Sequence, residues 1–280
     1  MTKSLILLCG LFVPAACLGE KPIFFLQMSD PQFGMFTDNK GFEHETANFE
    51  FAMATANRLR PAFVVVCGDL VNKPGDAAQI AEYLRVSHEL DGKIPFYSVA
   101  GNHDVANAPT PESLALYRKN IGMDHYSFRA GEFEGIVLNS SVIQHPENAR
   151  EEERIQKAWL EEELRKAQAA GVKQLAVFQH IPWFLKTPDE PDQYFNIPLE
   201  TRREYLALLR RYGVRYVFAG HLHENSLGKD GDLTMVTTGP VGKPLGTASS
   251  GIRVVTVEGD AMTDKYYGLG NLPHAIPEAK

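Results

Sequence analysis

The chain has 280 residues, 44% of them hydrophobic and 22% charged, enough to bury a substantial core as one large domain or two small ones. Its 28 Lys and Arg against 35 Asp and Glu give a mildly acidic balance. No run of basic residues advertises a nucleic-acid or anionic-membrane surface.

The chain opens with Lys3 ahead of an apolar run from Leu5 to Val13, followed by the small residues Ala15, Ala16 and Gly19. A positive start, a short apolar centre and a small-residue exit describe a signal peptide over residues 1–19, and hence export to the periplasm or the extracellular space. The run is too short for a permanent membrane span, so the mature chain is expected to carry no transmembrane helix. Cys17 after Ala15-Ala16 offers lipid anchoring as an alternative, but Pro14 stands where such sites carry Leu or a similar residue. With Cys9 and Cys17 inside the signal, Cys67 is the mature domain's sole thiol and no intrachain disulfide can form. Its place in an apolar strand run reads as a core thiol and not as a nucleophile.

Residues 20–280 read as one α/β domain. Short, nearly continuous runs of Val, Phe and Ile predict buried strands over Ile23–Met28, Phe63–Cys67, Phe96–Val99, Leu175–Gln179 and Val214–Ala219. Helices are predicted over Thr46–Arg60, ending before Pro61, over Glu151–Ala170, and over Thr201–Tyr212. The second places Ile155, Trp159 and Leu164 near one face. Acidic starts and glycine stops at Gly171 and Gly213 suit the helix dipole and the left-handed cap. Tyr126–Arg129 and Phe133–Asn139 suggest a hairpin, and Thr234–Thr238, Ile252–Glu258 and Lys265–Tyr267 look like strands with no helix between them. The expectation is mixed sheets layered between helices.

Five clusters of metal-type side chains fall just beyond predicted strand ends: Ser29-Asp30-Pro31-Gln32, Gly68-Asp69-Leu70-Val71-Asn72, Gly101-Asn102-His103-Asp104, His180, and Gly220-His221-Leu222-His223. Each alone has an ordinary explanation as a turn, a cap or a core histidine. Together, on the same kind of loop, they point to one cleft at the carboxyl ends of the strands. Alternation on an extended segment turns His221 and His223 the same way. Carboxylate, amide and imidazole ligands without thiolates favour Mn, Fe, Zn or Mg over a structural zinc knot. Two divalent ions with the carboxylates Asp30 and Asp69 leave a net charge of about +2, the sign that attracts a phosphate ester.

This ordered set resembles the calcineurin-like metallophosphoesterase superfamily across most of the mature chain. Asp30-Pro31-Gln32-Phe33-Gly34, Cys67-Gly68-Asp69-Leu70, Gln179-His180-Ile181-Pro182 and Tyr194-Phe195-Asn196 are similar to its calcineurin-like phosphoesterase domain-containing protein 1 group, described as serine/threonine protein phosphatases. The resemblance implies a sandwich of two mixed β-sheets flanked by α-helices, and a site for two metal ions. It implies that Asp69 bridges both ions, that Asp30 and His223 hold the first, and that Asn102, His180 and His221 hold the second. It leaves His103 off the metals, contacting phosphate or protonating the leaving oxygen, with Asp104 orienting it.

The superfamily's first motif usually reads Asp-x-His, whereas this chain has Gln32 at the third place. An amide oxygen is a weaker ligand for a late transition metal than imidazole, so Gln32 implies a looser first ion. The Tyr that purple acid phosphatases supply near Asn72 is missing, which argues against an iron–tyrosinate centre. Within Lys186–Pro198, after His180, Tyr194 or Asn196 is expected to line the cleft wall. The expected activity is hydrolysis of phosphomonoesters, phosphoproteins among them. Its rivals are a phosphodiesterase acting on nucleotides or phospholipid head groups, and a non-catalytic metal or phosphate binder.

Overall fold

The computed structural model describes residues 22–276, so the signal-peptide reading and Cys9 and Cys17 fall outside the described residues. The first strand, β1 (Ile23–Met28), leads into α1 (Glu43–Leu59), followed by β2 (Val64–Cys67), α2 (Ala77–Ser87) and β3 (Phe96–Val99). Next come the short α3 (Asn102–Val105), α4 (Pro111–Asn120) and a hairpin of β4 (Tyr126–Ala130) and β5 (Phe133–Val137). The chain continues through α5 (Ser140–Gln144), α6 (Arg150–Ala169), β6 (Gln174–Phe178), α7 (Leu199–Arg211) and β7 (Tyr216–Ala219). It closes with β8 (Ser226–Asp230), β9 (Leu233–Thr237), β10 (Gly251–Glu258) and β11 (Ala261–Gly268). All the expected strands and helices are present, with ends shifted by a few residues, while α2, α3, α4, α5 and β8 go beyond them.

One sheet has the order β11-β10-β1-β2-β3 and the other β4-β5-β6-β7-β9-β8. In the first, β1, β2 and β3 run parallel, and β10 pairs antiparallel with both β1 and β11. In the second, β5, β6, β7 and β9 run parallel between the antiparallel edges β4 and β8. Both sheets are mixed, as expected. Their inner faces meet in a phenylalanine-rich layer, where Phe25 stacks on Phe63 at 4.6 Å and meets Phe218 edge-on at 5.5 Å. Alternation along each strand sends the other side chains outward: Leu26, Met28, Val64 and Val66 join a second apolar cluster with Phe49 and Met53 of α1 and Tyr83 of α2. Cys67 is a buried core thiol, and burial pushes its pKa up.

Polar side chains also enter the inner layer near the rim. Gln27 donates to the Ala219 carbonyl across the sandwich and accepts from the Thr238 hydroxyl, so β1 is tied to the opposite sheet just below the loops that follow β1 and β7.

Helix α6 differs from expectation in which face it buries. Gln156, Leu160, Leu164 and Ala167 point inward, and Ile155 is 44% exposed. The amide of Gln156 explains the shift: it accepts from the Asn139 N–H and donates to the Asn139 carbonyl, so a polar side chain is fully satisfied at a core position.

Asn139 caps α5 and also donates to the buried carboxylate of Asp124. Asp124 takes two further bonds from Arg118 and lies 3.3 Å from the His125 ring. Burial works upward on its pKa, but His125, Arg118 and Asn139 outweigh it and hold the carboxyl below the usual carboxylate range. A depressed folded pKa means stability that is present above the unfolded value of about 3.9 and is lost as pH falls through the folded value. Asp124→Asn is expected to cost about 3 kcal/mol at pH 7 and to flatten the acid limb of stability below pH 4. Denaturant titrations at pH 7, 5 and 3 would check this, and parallel stability curves for both proteins would contradict it.

Candidate metal centre

Parallel strands bring their carboxyl ends to one rim of the sandwich, and the loop after each of β1, β2, β3, β6 and β7 turns there. Their backbones are unusual. Asp30, Gln32, Asp69, His221 and His223 all have positive φ, between 42° and 70°. Left-handed backbone costs a non-glycine residue on the order of 1 kcal/mol, and a cluster of such residues marks a functional rim. Two glycines with ordinary φ are there for space alone. A Cβ on Gly101 would lie 2.1 Å from the Asp69 amide nitrogen, and one on Gly220 would lie 1.6 Å from Ser29 Oγ.

These loops bring six of the expected ligands together. Donor atoms of Asp69, His180 and His221 lie within 4.8 Å of one another, as do those of Asp30, Asp69 and His223, with Asp69 common to both groups. Asn102 Oδ1 lies 3.0 Å from His180 Nε2. Its orientation is fixed, because the Asn102 amide donates to Asn107 Oδ1 at 2.8 Å.

Each histidine commits one ring nitrogen to a main-chain carbonyl: His180 Nδ1 to Cys67 at 2.8 Å, His221 Nε2 to Tyr194 at 3.1 Å, and His223 Nδ1 to Lys243 at 2.6 Å. The committed nitrogen must carry the proton, so the neutral ring presents a bare lone pair on the other side. Those lone pairs face electron-rich atoms. His180 Nε2 lies 3.1 Å from Asp69 Oδ2 and 3.2 Å from His221 Nδ1, while His223 Nε2 lies 3.3 Å from Asp30 Oδ1. Acceptors that converge in this way fit a cation between them, and the donor set suits divalent ions.

The electrostatics agree. Burial works upward on Asp69, but His180, His103 and His221 overcome it and hold the carboxyl far below its usual range. Burial pulls His180 down, but Asp69 and Asp30 raise it to about 9; burial and His180 together push His221 down to about 4. The buried carboxylates thus favour positive charge at this spot, as they would favour a cation held among these donors.

His103 sits beside the centre. Its N–H donates to Asp69 Oδ1, and its ring Nδ1 donates to the Asn72 carbonyl at 2.7 Å. The expected pairing with Asp104 is corrected: Asp104 Oδ1 accepts from the N–H groups of Leu70 and Val71, and Oδ2 from that of Gly101. Three backbone donors use up that carboxylate, so Asp104 shapes the loop and the Asn72 carbonyl orients the ring. Gln32 is buried, and its Nε2 donates to Asn72 Oδ1 while its Oε1 has no hydrogen-bond partner.

The two candidate substrate contacts part company. Tyr194 is 55% exposed, packs against His221 at 4.8 Å between ring centroids, and accepts from Asn102 Nδ2 at 3.3 Å. It forms an aromatic wall. Asn196 is corrected: it is buried, with Oδ1 on the Gln193 N–H and Nδ2 on Glu190 and the Pro191 carbonyl, so it staples the loop from inside. Ser29 stood in the first cluster without a role, yet its hydroxyl donates to Asp30 Oδ2, and the carbonyls of Cys67, Tyr194 and Lys243 were unforeseen. Carbonyls leave no trace in residue type, and only the serine's place before Asp30 was a usable signal.

Residues 25–225 match the family described as Calcineurin-like phosphoesterase. The chain is 37% identical over 266 residues to the serine/threonine-protein phosphatase CPPED1 of Bos taurus, covering 90% of this chain and 85% of that protein. Against the Homo sapiens protein of the same name it is 36% identical over 267 residues, with the same coverage. A solved dimetal phosphatase from Danio rerio superposes with a TM-score of 0.60 at 19% identity, over 89% of this chain and 100% of that one, which speaks to the fold. Motif residues, strand order and relatives agree, and the chain belongs to the calcineurin-like phosphoesterase family.

Proposed function

We propose that this phosphoesterase is a phosphomonoesterase with a dinuclear metal site, and that phosphorylated serine or threonine of proteins is its substrate class. The observation that carries the reading is the pair of carboxylate–imidazole groups sharing Asp69. The substrate class rests on the CPPED1 relatives.

In this reading Asp30, His223 and, more weakly, Gln32 would hold the first ion, and Asn102, His180 and His221 would hold the second, with Asp69 available to both. When bound, the ions supply positive charge and Lewis acidity to the phosphoryl oxygens and the attacking water. Mn, Fe, Zn and Mg all suit the donors, and the amide of Gln32 makes the first position the more exchangeable. The chain's own contribution is placement. Cys67, Tyr194 and Lys243 fix the tautomers of the three ligand histidines through their carbonyls. Bonding of His103 Nδ1 to Asn72 leaves Nε2 as the nitrogen that can hold a proton for the departing alkoxide. Tyr194 closes one side of the approach.

Divalent ion at 100 times its dissociation constant adds about 2.7 kcal/mol of stability, so Mn2+ is expected to raise the melting temperature of chelator-treated protein by roughly 5–10 °C. Asp69→Asn is expected to abolish that rise and to lower kcat/KM by about 100-fold or more, since loss of mere outer partners already costs 10–100-fold. An unshifted melting curve in the unaltered chain would count against the centre.

His103→Ala is expected to lower kcat about 10²- to 10⁴-fold on a phosphoserine peptide, whose alkoxide needs a proton. The loss on p-nitrophenyl phosphate is expected to be much smaller, because that phenolate leaves unaided. Equal losses on both substrates would remove the proton-donor role. Turnover of the phosphoserine peptide against bis(p-nitrophenyl) phosphate tests the monoester preference: faster diester turnover would favour a phosphodiesterase, and no turnover of either would favour a non-catalytic binder.

A further inference from the structure

We propose that Gln79 is a positioning residue for the first ion, acting through Asn39 and Asn72 to set which end of the Gln32 amide faces the centre. The proposal rests on the two-ion reading above and adds residues that touch no ligand.

Four amides form a chain whose polarity is fixed at one end. Gln79 Oε1 accepts from two backbone N–H groups, those of Asn72 at 3.0 Å and Lys73 at 2.9 Å. Backbone amides cannot reverse, so the Gln79 oxygen must face them and its Nε2 must face outward. That Nε2 donates to Asn39 Oδ1 at 2.8 Å. The same Asn39 oxygen accepts from Asn72 Nδ2 at 2.9 Å. Asn72 Oδ1 is thereby turned toward Gln32, and accepts from Gln32 Nε2 at 3.1 Å. What remains is Gln32 Oε1, buried and unpaired. Every step is dictated by the one before it, and the last is an oxygen with no protein donor on a residue only 2% exposed.

The arrangement works against the local charge. Gln32 lies two residues beyond Asp30, and its backbone N–H donates to the Asp69 carbonyl at 2.8 Å, which puts the residue on the carboxylate side of the centre. Beside two buried carboxylates an amide is expected to present its NH2. Such a rotamer would fill the first ion's place with a hydrogen-bond donor. Holding the oxygen there instead leaves a desolvated acceptor without a partner, and a cation is the partner that recovers the loss. The relay is also packed into place. A Cβ on Gly34 (φ 107°) would lie 2.5 Å from Gln79 Nε2 and 3.0 Å from Asn39 Oδ1, so this glycine makes room for that bond. Asp38 and Asn39 take left-handed backbone, and the Asn39 N–H returns to the Gly34 carbonyl at 2.8 Å.

Gln79→Glu tests this without a change of volume. At pH 8 the carboxylate still accepts from both backbone amides, but it can no longer donate to Asn39. Asn39, Asn72 and Gln32 must each reverse, which turns the Gln32 NH2 toward the first ion. Calorimetric titration of Mn2+ into the chelator-treated full chain reads both ions. Gln79→Glu is expected to weaken one of them about 10- to 100-fold and to spare the other. On a Gln32→Glu background the same change is expected to cost nothing, since a carboxylate presents oxygen whichever way the relay points. If Gln79→Glu does not fold, Asn39→Ala cuts the relay at its exposed link, with a smaller loss expected that also vanishes on the Gln32→Glu background. An equal loss on both backgrounds would make Gln79 a packing residue and overturn the relay, as would unchanged affinity. Uptake of a single ion by the unaltered chain would instead overturn the two-ion reading, and the relay with it.

Discussion

Two buried carboxylates organise this molecule, and among the described residues neither forms an ion pair with Lys or Arg. Asp30 and Asp69 are at most 2% exposed, and the ion-pairing groups that meet them are the His223 and His180 rings. Burial of an uncompensated carboxylate is expensive, and burial of two side by side is more so. The rest of the rim can be understood as an answer to that cost. Three histidines are turned lone-pair inward, main-chain N–H groups of His103 and His221 donate to the carboxylates, and two glycines let the loops close in. What the chain does not provide is a fixed positive charge. That role is left for divalent cations, for which loops from both sheets supply the donors.

The sandwich holds those loops in register. Its inner layer is apolar and aromatic, so the sheets keep their distance and tilt by packing, while Gln27 adds a polar tie between them near the rim. The loop that carries Tyr194 is stiffened differently. Buried Arg202 donates to the carbonyls of Pro188, Glu190 and Ile197, and the Glu190 carboxylate accepts from three successive main-chain N–H groups. The Tyr194 carbonyl that orients His221 therefore belongs to a rigid shelf, and the aromatic wall and the second ion's ligand are parts of the same body.

Much of this was legible in the sequence. Continuous Val, Ile and Phe runs gave the strands because those strands are buried on both faces, and Asp, His and Asn just after them gave the ligands because parallel strands end together. The helix face of α6 was misread because the side chain it buries is a glutamine, whose partner is backbone that no periodicity reveals. Asp104 and Asn196 were misread for a related reason. Both look like chemistry by type and position, yet their polar atoms are used up by nearby N–H and C=O groups. Residue type shows what a side chain can do, and only geometry shows what it is already doing. Gln79 is the reverse case, an unremarkable helix residue whose importance lies wholly in its partners.

The left-handed rim has a consequence beyond chemistry. Asp30, Gln32, Asp69, His221 and His223 each hold a costly backbone shape, and a bound cation would give their converging side chains a common partner. A chain made where metal is scarce keeps that strain unrelieved, and its loops open more often. Frequent opening exposes protein to degradation. The level of this protein is therefore expected to follow metal supply, so that starvation thins the population of molecules as well as silencing those that remain.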